Sequence, residues 1–374
     1  NNRKAVGVIS SLEVDGEQYD PLKGEVASPD GAKPWAVMAE LRQMFNLSML
    51  LSDIRRIPSS MDALVVIHPK ELSESTLYAI DQYVLAGGKL ITYVDPYAEV
   101  DKPKKDPDNP MSAMLAPRSS NMEELFTAWG FKRSNTDVVA DRKTATKVDF
   151  GAKTDYQPID YVLWQKLVKD NFNKDERITS ALRQLNVATP GRFEILDEHT
   201  TNITPLFSSS NEAMLVDKRV VQFRNDPVAL LTKYQAGTIS YPMAIRAQGE
   251  VKTAFPDGAK TVSGDIKKMP GHLDNAKQAI DVIAIADVDM LDDRFWVETQ
   301  DFYGKQLAFN TSNNIDFLIN AIEDMTGSEG LISIRSRAGF SRPFHKVIAL
   351  QRGAEKRFRT KERELQNKLK ETQQ

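Results

Sequence analysis

The aspartates of residues 287–293 are the most suggestive group of chemically active side chains in this sequence. The segment reads Asp287-Val-Asp-Met-Leu-Asp-Asp293 and follows an apolar run typical of a parallel strand. Open α/β sheets bind ligands at the carboxyl ends of such strands, and hard cations prefer carboxylate oxygens. Met290 and Leu291 interrupt the segment, however, and the glycine turn and distal glutamate of a calcium loop are missing. The pattern therefore favours a structural role, in which the aspartates cap the following turn and pair with Arg294, over a metal site.

A further aspartate follows another predicted strand. Asp95 stands directly before Pro96, as Asp20 stands before Pro21, and an aspartate in this position most often shapes a turn. Paired carboxylates at strand ends can also perform acid-base chemistry. We predict no catalytic residue, no metal and no cofactor, and retain four ligand-site candidates: Asp95, Asp287, Asp289 and Asp292.

Other reactive arrangements are missing from the sequence. There is no cysteine, so thiolate nucleophiles, thiolate metal sites and disulfides are excluded. The serines at 208–210 are not set in a Gly-x-Ser-x-Gly turn, and Gly87-Gly88 ends a predicted helix and has no Lys-Ser/Thr partner for a phosphate loop. The histidines lie in separate segments, which does not favour a zinc site: His68, His199, His272 and His345. The sequence therefore predicts a protein that is not an enzyme.

The composition is that of a folded protein with more than one domain. The chain has 374 residues, 41% hydrophobic and 27% charged, and a single core rarely grows to that length. Forty-nine basic and 52 acidic residues give a net charge of -3, which does not favour nucleic acid as a partner. A local basic patch is predicted to face lipid headgroups or carboxylates of a companion subunit, and it consists of Arg335, Arg337, Arg342 and Lys346.

The periodicity of apolar residues predicts an α/β fold. In the first part, strands are predicted at 4–10, 62–68 and 89–94, and helices at 34–45, 73–85 and 121–129. This order implies right-handed parallel crossovers. In the second part, helices are predicted at 179–185 and 313–325, and strands at 191–196, 213–216 and 280–287, with an antiparallel strand within 241–255.

The predicted architecture is two consecutive doubly wound, Rossmann-like domains with mainly parallel sheets, followed by a helical stalk. The first domain is placed at 1–135, and the second, with some antiparallel strands, at 136–345. Residues 346–374 carry a narrow apolar stripe among many charges and are predicted to form a helix that leads toward a membrane anchor.

Ordered phrases along almost the whole chain carry a family resemblance. Among them are Tyr19-Asp-Pro21, Asp62-Ala-Leu-Val-Val-Ile-His-Pro69, Tyr93-Val-Asp-Pro96, Ala128-Trp-Gly130, Thr204-Pro-Leu-Phe207, Ala286-Asp-Val-Asp-Met-Leu291 and Leu331-Ile-Ser-Ile-Arg-Ser-Arg337. Together they resemble the GldG-like, gliding-motility-type auxiliary proteins of ABC transport systems. In that family the first domain is similar to the domain of intraflagellar-transport proteins, which is related to class I glutamine amidotransferases. The amidotransferase nucleophile is a cysteine, so the activity is not expected to accompany the fold here.

The resemblance implies a location and partners. It implies a body on the periplasmic face of the bacterial inner membrane, flanking membrane helices, and a permease and a cytoplasmic ATPase as partner subunits. The predicted function is a non-catalytic extracytoplasmic auxiliary subunit that scaffolds the transporter or captures its substrate. The alternatives are a divergent hydrolase or glycan-binding protein that uses the strand-end carboxylates, and a small-molecule or glycan receptor with an apolar pocket between its domains.

Overall fold

The computed structural model describes residues 3–16, 33–103, 108–109, 111–224, 226–260, 264–302 and 305–327. The helices of this part are α1 Ala36–Met44, α2 Glu74–Leu85, α3 Ser112–Leu115, α4 Glu123–Ala128, α5 Arg177–Ser180, α6 Lys218–Arg224, α7 Pro227–Thr232 and α8 Asn314–Met325. The strands are β1 Ala5–Ser10, β2 Asn46–Met49, β3 Ala63–Ile67, β4 Lys89–Tyr93, β5 Phe131–Arg133, β6 Asp137–Ala140, β7 Ala145–Val148, β8 Ile159–Val168, β9 Gln184–Ala188, β10 Phe193–Ile195, β11 Thr201–Ser208, β12 Met214–Asp217, β13 Pro242–Gly249, β14 Ala259–Lys260, β15 Ile266–Lys267, β16 Ile280–Ile285, β17 Val297–Phe302 and β18 Lys305–Asn310.

A seven-stranded sheet organises the described residues. Its strand order is β11-β13-β16-β4-β3-β1-β2. The pairs β2-β1, β1-β3, β3-β4 and β4-β16 are parallel. β13 is antiparallel to both β16 and β11. The mainly parallel α/β sheet that the sequence predicts is present, and the predicted antiparallel strand within 241–255 is β13.

The sheet continues across the predicted boundary between residues 135 and 136. β16, which lies in the predicted second domain, pairs along its length with β4, so that Ile283 stands opposite Ile91. The described residues belong to one compact unit. The predicted arrangement of two separate doubly wound domains is therefore not confirmed. The apolar run of β16 indicates that it is covered on both faces, but such a run does not show which strand it pairs with.

Both faces of the sheet are covered by helices, as a buried parallel sheet requires. On one face Val65 and Ile91 pack in a cluster that also contains residues of α1 and α8. On the other face Leu64 and Leu90 pack in a cluster with residues of α2 and α4. Successive residues of a strand point to opposite faces of the sheet, so alternate residues of β3 and β4 belong to two different hydrophobic cores.

Helix α2 has the start and end that its sequence predicts. The Ser73 hydroxyl accepts a hydrogen bond from the amide of Thr76 at 3.3 Å. Gly87 has φ +100°, and the amide of Gly88 donates to the Tyr83 carbonyl at 2.9 Å. A glycine takes a positive φ at little cost, so the helix ends there.

One predicted helix is wrong over most of its length. The sequence predicts a helix at residues 179–185, but α5 ends at Ser180 and β9 begins at Gln184. Leu185 and Val187 are buried while Gln184 and Asn186 are less so, which is the alternation of a strand. Seven residues are too few to distinguish the apolar period of a helix from that of a strand, so pairing with β8 determines that this segment forms a strand.

Some predictions lie outside the described residues. These are the C-terminal helix at 346–374, the basic patch of 335–346 and Asp20.

Candidate functional site

Two of the candidate aspartates are brought together by neighbouring parallel strands. β4 ends at Tyr93 and β16 at Ile285, and these two residues stand opposite each other in the register. Asp95 and Asp287 each follow two residues after those positions. Equal spacing from paired residues places both side chains at the same edge of the sheet, at the carboxyl ends of the strands.

Asp289 completes a buried cluster of three carboxylates. It lies in a short 3₁₀ turn, Asp289–Leu291, directly after β16. One carboxylate oxygen from each of Asp95, Asp287 and Asp289 lies within 4.8 Å of the others. All three residues have an exposed fraction of 0%. We call this group the carboxylate cluster.

Backbone amides donate to every oxygen of the carboxylate cluster. Asp95 accepts from the amides of Tyr97 at 2.7 Å and Val288 at 2.9 Å. Asp287 accepts from the amides of Ala188 at 2.7 Å and Met290 at 3.0 Å. The carboxylates thus join the segment after β4 to the turn after β16 and to the end of β9, because each spans two pieces of backbone.

Asp289 joins the turn after β16 to a later point of the segment that follows β4. Its two oxygens accept from the amides of Glu99 and Val100, both at 2.8 Å. Charge-assisted bonds from amides compensate part of the cost of burying a carboxylate. The cluster consequently holds the carboxyl-terminal edge of the sheet together, whatever else it does.

Burial dominates the electrostatics of the cluster. Burial raises the pKa of Asp95 well above its usual range, and the charge of Asp287 raises it further. The pKa of Asp287 is raised in the same way, mainly by burial and next by the charge of Asp289. The pKa of Asp289 is also raised, mainly by burial and next by the charge of Asp95. Arg133 opposes this effect at Asp95. Three ionised carboxylates at this separation repel one another in a low-dielectric site.

The fourth candidate, Asp292, lies apart from the cluster and makes a local contact. One of its oxygens accepts from the backbone amide of Arg294 at 3.0 Å and from the Nε of the same residue at 2.8 Å. It caps the short turn Asp293–Phe295. The structure therefore brings together three of the four candidate residues.

Two residues near the cluster are not singled out by the sequence. Glu99 accepts from the indole nitrogen of Trp164 at 3.0 Å and from the Thr189 hydroxyl. The Tyr93 hydroxyl is fully buried and has no hydrogen-bond partner among the described residues. Tyr93 precedes Asp95 by two residues, which is the one signal available, since a strand places such residues on the same face.

A serine, a histidine and an aspartate also meet beside the cluster. His68 follows β3 with φ +49°, and its Nδ1 lies 2.9 Å from the Ser120 hydroxyl and its Nε2 3.3 Å from an Asp101 oxygen. The Asp101 carboxylate also pairs with Lys70 at 2.7 Å. The sequence offers no spacing from which this group could be found.

This second group has the residue types of a hydrolase triad but not the access. His68 is 0% exposed and Ser120 is 1% exposed. The Ser120 oxygen accepts a hydrogen bond from the amide of Asp95 at 3.0 Å. A nucleophile must reach a substrate carbonyl, and this hydroxyl is enclosed and already bonded. The group connects the ends of β3 and β4, and we assign it no catalytic step.

An apolar groove lies elsewhere on the molecule. Its volume is about 730 Å³, and it runs between β12, α6 and α7. Its lining contains none of the four candidate aspartates and consists of Met214, Leu215, Val216, Val220, Phe223, Asp226, Ala229, Leu230 and Lys233.

A family model described as an ABC-type uncharacterized transport system matches residues 3–321. This chain belongs to that family. Membership of the auxiliary family of an ABC transport system implies a permease and an ATPase as partners and a location associated with a membrane. None of the described helices is both long and apolar enough to cross a bilayer.

Similarity to other proteins is weak. No curated protein matches the chain significantly. Among solved structures, the mmIFT52 N-terminal domain is 9% identical with a TM-score of 0.42, covering 86% of this chain and 97% of that one. A ThuA-like protein from Bacteroides uniformis is 7% identical with a TM-score of 0.37, covering 87% and 91%. These scores are too low to support an argument, so the predicted intraflagellar-transport-like first domain is not confirmed. The GldG-like subtype is not confirmed either, because the family model gives only the broader family.

Proposed function

We propose that this chain is a non-catalytic, extracytoplasmic auxiliary subunit of an ABC transport system. In this role it scaffolds the transporter, or captures its substrate, beside the permease and the ATPase. The match of the family model over residues 3–321 carries the proposal. The GldG-like subtype and a body held on the periplasmic face by flanking membrane helices are part of the proposal and rest on the ordered sequence phrases.

The state of the candidate side chains supports a non-catalytic role. Asp95, Asp287 and Asp289 are 0% exposed, and both oxygens of each accept backbone hydrogen bonds. An acid-base pair must touch its substrate. A glycoside bond or an ester cannot approach oxygens enclosed in this way, so the hydrolase alternative loses the site on which it rested.

The glycan-binding alternative meets the same difficulty. Sugar recognition through carboxylates needs oxygens whose lone pairs face an open cleft. The carboxylate cluster has no exposed surface. A receptor role would have to use another surface, such as the apolar groove between β12 and α7.

Co-purification from membranes tests the proposal directly. A tagged full-length protein, expressed from its own locus, is expected to retain a permease and an ATPase of an ABC transport system after mild detergent extraction. The control is an unrelated tagged protein anchored in the same membrane. Repeated recovery without either subunit would contradict the proposal.

A second measurement separates scaffolding from catalysis. Asp287→Asn removes one anionic group of the cluster at nearly constant volume. For a scaffold, any folded fraction of this variant still assembles with the permease, and no hydrolytic turnover is lost because none is present in the wild type. Turnover of any ester or glycoside by the wild type that disappears in the variant would favour the hydrolase.

A further inference from the structure

The carboxylate cluster poses an electrostatic problem that the contacts of the chain do not solve. Three carboxylates lie within 4.8 Å of one another with no exposed surface. Moving a single ionised carboxylate out of water is strongly unfavourable, and nearby like charges make it more so. Among the described residues, no lysine, arginine or histidine forms an ion pair with any of the three. Arg133 acts on Asp95 at longer range but is bonded to Glu123 at 3.0 Å.

The Tyr93 hydroxyl provides an independent observation at the same place. It is fully buried and has no hydrogen-bond partner among the described residues, which is uncommon because a buried, unsatisfied hydroxyl destabilises the folded state. Its ring leaves β4 on the same face as Asp95, two residues away. The hydroxyl is near enough to Asp287 for that charge to act on it. An unpartnered polar atom among the described residues therefore lies within electrostatic reach of the carboxylate cluster.

We propose that Asp95, Asp287 and Asp289 bind one hard divalent cation, of the Ca²⁺ or Mg²⁺ class, beside the Tyr93 hydroxyl. Oxygens around one such ion lie about 2.0–2.6 Å from it, so two of them are at most about 5 Å apart. The observed limit of 4.8 Å fits that requirement. The amide hydrogen bonds do not prevent coordination, because each carboxylate oxygen has two lone pairs.

The cation would act as a structural cross-link. The three ligands belong to the segment after β4 and to the turn after β16, which are far apart in sequence. Their hydrogen bonds extend to Ala188 at the end of β9 and to Glu99. An ion bound there fastens the carboxyl-terminal edge of the sheet, and it adds a property that the proposed transport role neither requires nor supplies.

Calorimetry on the unmodified protein is the first test. The protein is stripped with EDTA, dialysed free of chelator and titrated separately with Ca²⁺ and Mg²⁺. Binding of one equivalent of at least one ion is expected, together with a rise in Tm of roughly 3–5 °C at saturation, because the ion binds only the folded state. No heat and no change in Tm with either ion would overturn the proposal and leave the aspartates as groups that only cap backbone amides.

A pair of matched variants locates the site. Asp287→Asn is expected to weaken binding at least tenfold and to abolish the rise in Tm. The control is Asp141→Asn, since Asp141 is equally buried and accepts from the amides of Lys143 at 3.0 Å and Ser210 at 2.7 Å, but lies outside the cluster. An equal loss in both variants would contradict the assignment.

Diffraction gives the same answer without a variant, in case Asp287→Asn does not fold. A crystal of the wild type soaked in Mn²⁺ is expected to show an anomalous peak within coordination distance of all three carboxylates. A peak only at other positions would refute the site.

Discussion

Asp81 shows at the scale of one residue how burial changes an acidic group. It lies in α2 with an exposed fraction of 0%, and it accepts from the Thr253 hydroxyl at 2.5 Å and from the amide of Ala254 at 3.3 Å. Burial raises the pKa of Asp81 above 3.8, and these bonds only partly oppose it. The native state therefore binds the proton of Asp81 more tightly than the unfolded state does.

This difference predicts a pH dependence of stability. The contribution of Asp81 is fully present below a pH of about 3.8, and it is lost as the pH rises through the raised native pKa. Relative to Asp81→Asn, which does not titrate, the free energy of unfolding of the wild type is expected to fall between about pH 3 and about pH 7. Urea denaturation of both proteins at these two pH values measures it. A constant difference would show that Asp81 does not titrate differently in the two states.

Gly88 illustrates a steric requirement at a single position. A Cβ there would lie 2.4 Å from the ring of Tyr83, which is 9% exposed and bonded through its hydroxyl to the Met61 carbonyl at 3.2 Å. Gly88→Ala is therefore expected to lower the free energy of unfolding by about 1–3 kcal/mol, because the ring must move within a packed core.

A second glycine serves as the comparison. Gly271 has φ +84°, and no described atom lies within 4 Å of the place that a Cβ would occupy, so Gly271→Ala measures backbone strain alone. Gly88→Ala is expected to lower the free energy of unfolding by more than Gly271→Ala does, as measured by chemical denaturation of the two variants. An equal or smaller loss for Gly88→Ala would mean that Tyr83 moves aside freely.

At the scale of elements, Arg246 connects two strands and a helix. It stands on β13 and donates to the Asp281 carboxylate of β16 at 2.8 and 2.9 Å and to Asp324 of α8 at 2.7 Å. The side chains of both acceptors are at most 10% exposed. The bidentate geometry at Asp281 is specific to a guanidinium.

Removing this arginine tests how much the connection stabilises the fold. Arg246→Ala removes the arginine partner of Asp324 and leaves Asp281 with only the longer ion pair to Lys89 at 3.7 Å. This loss is expected to lower the free energy of unfolding by about 3–5 kcal/mol, measured by urea denaturation. Arg219→Ala is the control, because Arg219 pairs with Asp217 at the surface and its loss is expected to change stability little. Similar behaviour of the two variants would contradict the role of Arg246.

The predictability of the elements follows the strength of their local signals. Helix α2 has a capping serine and a terminal glycine pair, and β3 is apolar throughout, so both are found from sequence. The segment at 179–185 is too short to distinguish a helical from a strand period, and its pairing with β8 makes the choice. Alternating Ala244, Arg246 and Gln248 predict an antiparallel strand correctly, but not its neighbours β11 and β16.

At the scale of the whole molecule, the sheet predicts how the chain unfolds. β4 is flanked by β3 and by β16, and β16 comes from beyond residue 136. Residues of β16 also complete both hydrophobic clusters on the two faces of the sheet. A fragment of residues 1–135 would therefore expose one edge of β4 and leave both clusters open.

Expression of that fragment tests the organisation of the sheet. The fragment is expected to show no cooperative thermal transition, because unpaired backbone and open cores cannot offset the entropy of folding. The matched control is residues 1–327, which retain every strand of the sheet and are expected to unfold cooperatively. A sharp transition for residues 1–135 would instead support the independent first domain that the sequence predicts. Circular dichroism recorded on heating measures the thermal transitions of both fragments, residues 1–135 and residues 1–327.

The sequence alone determined the class of the fold, the main helices and strands, and the residue types available for chemistry, because these depend on local periodicity and composition. Only the tertiary structure decided that strands from both predicted domains share one sheet, and that Asp95, Asp287 and Asp289 meet while Asp292 does not. Register between strands far apart in sequence made those choices, and local patterns carry no information about partners. Burial and satisfied hydrogen bonds at the meeting point likewise came from packing, since they depend on what covers the carboxylates from outside their own strands.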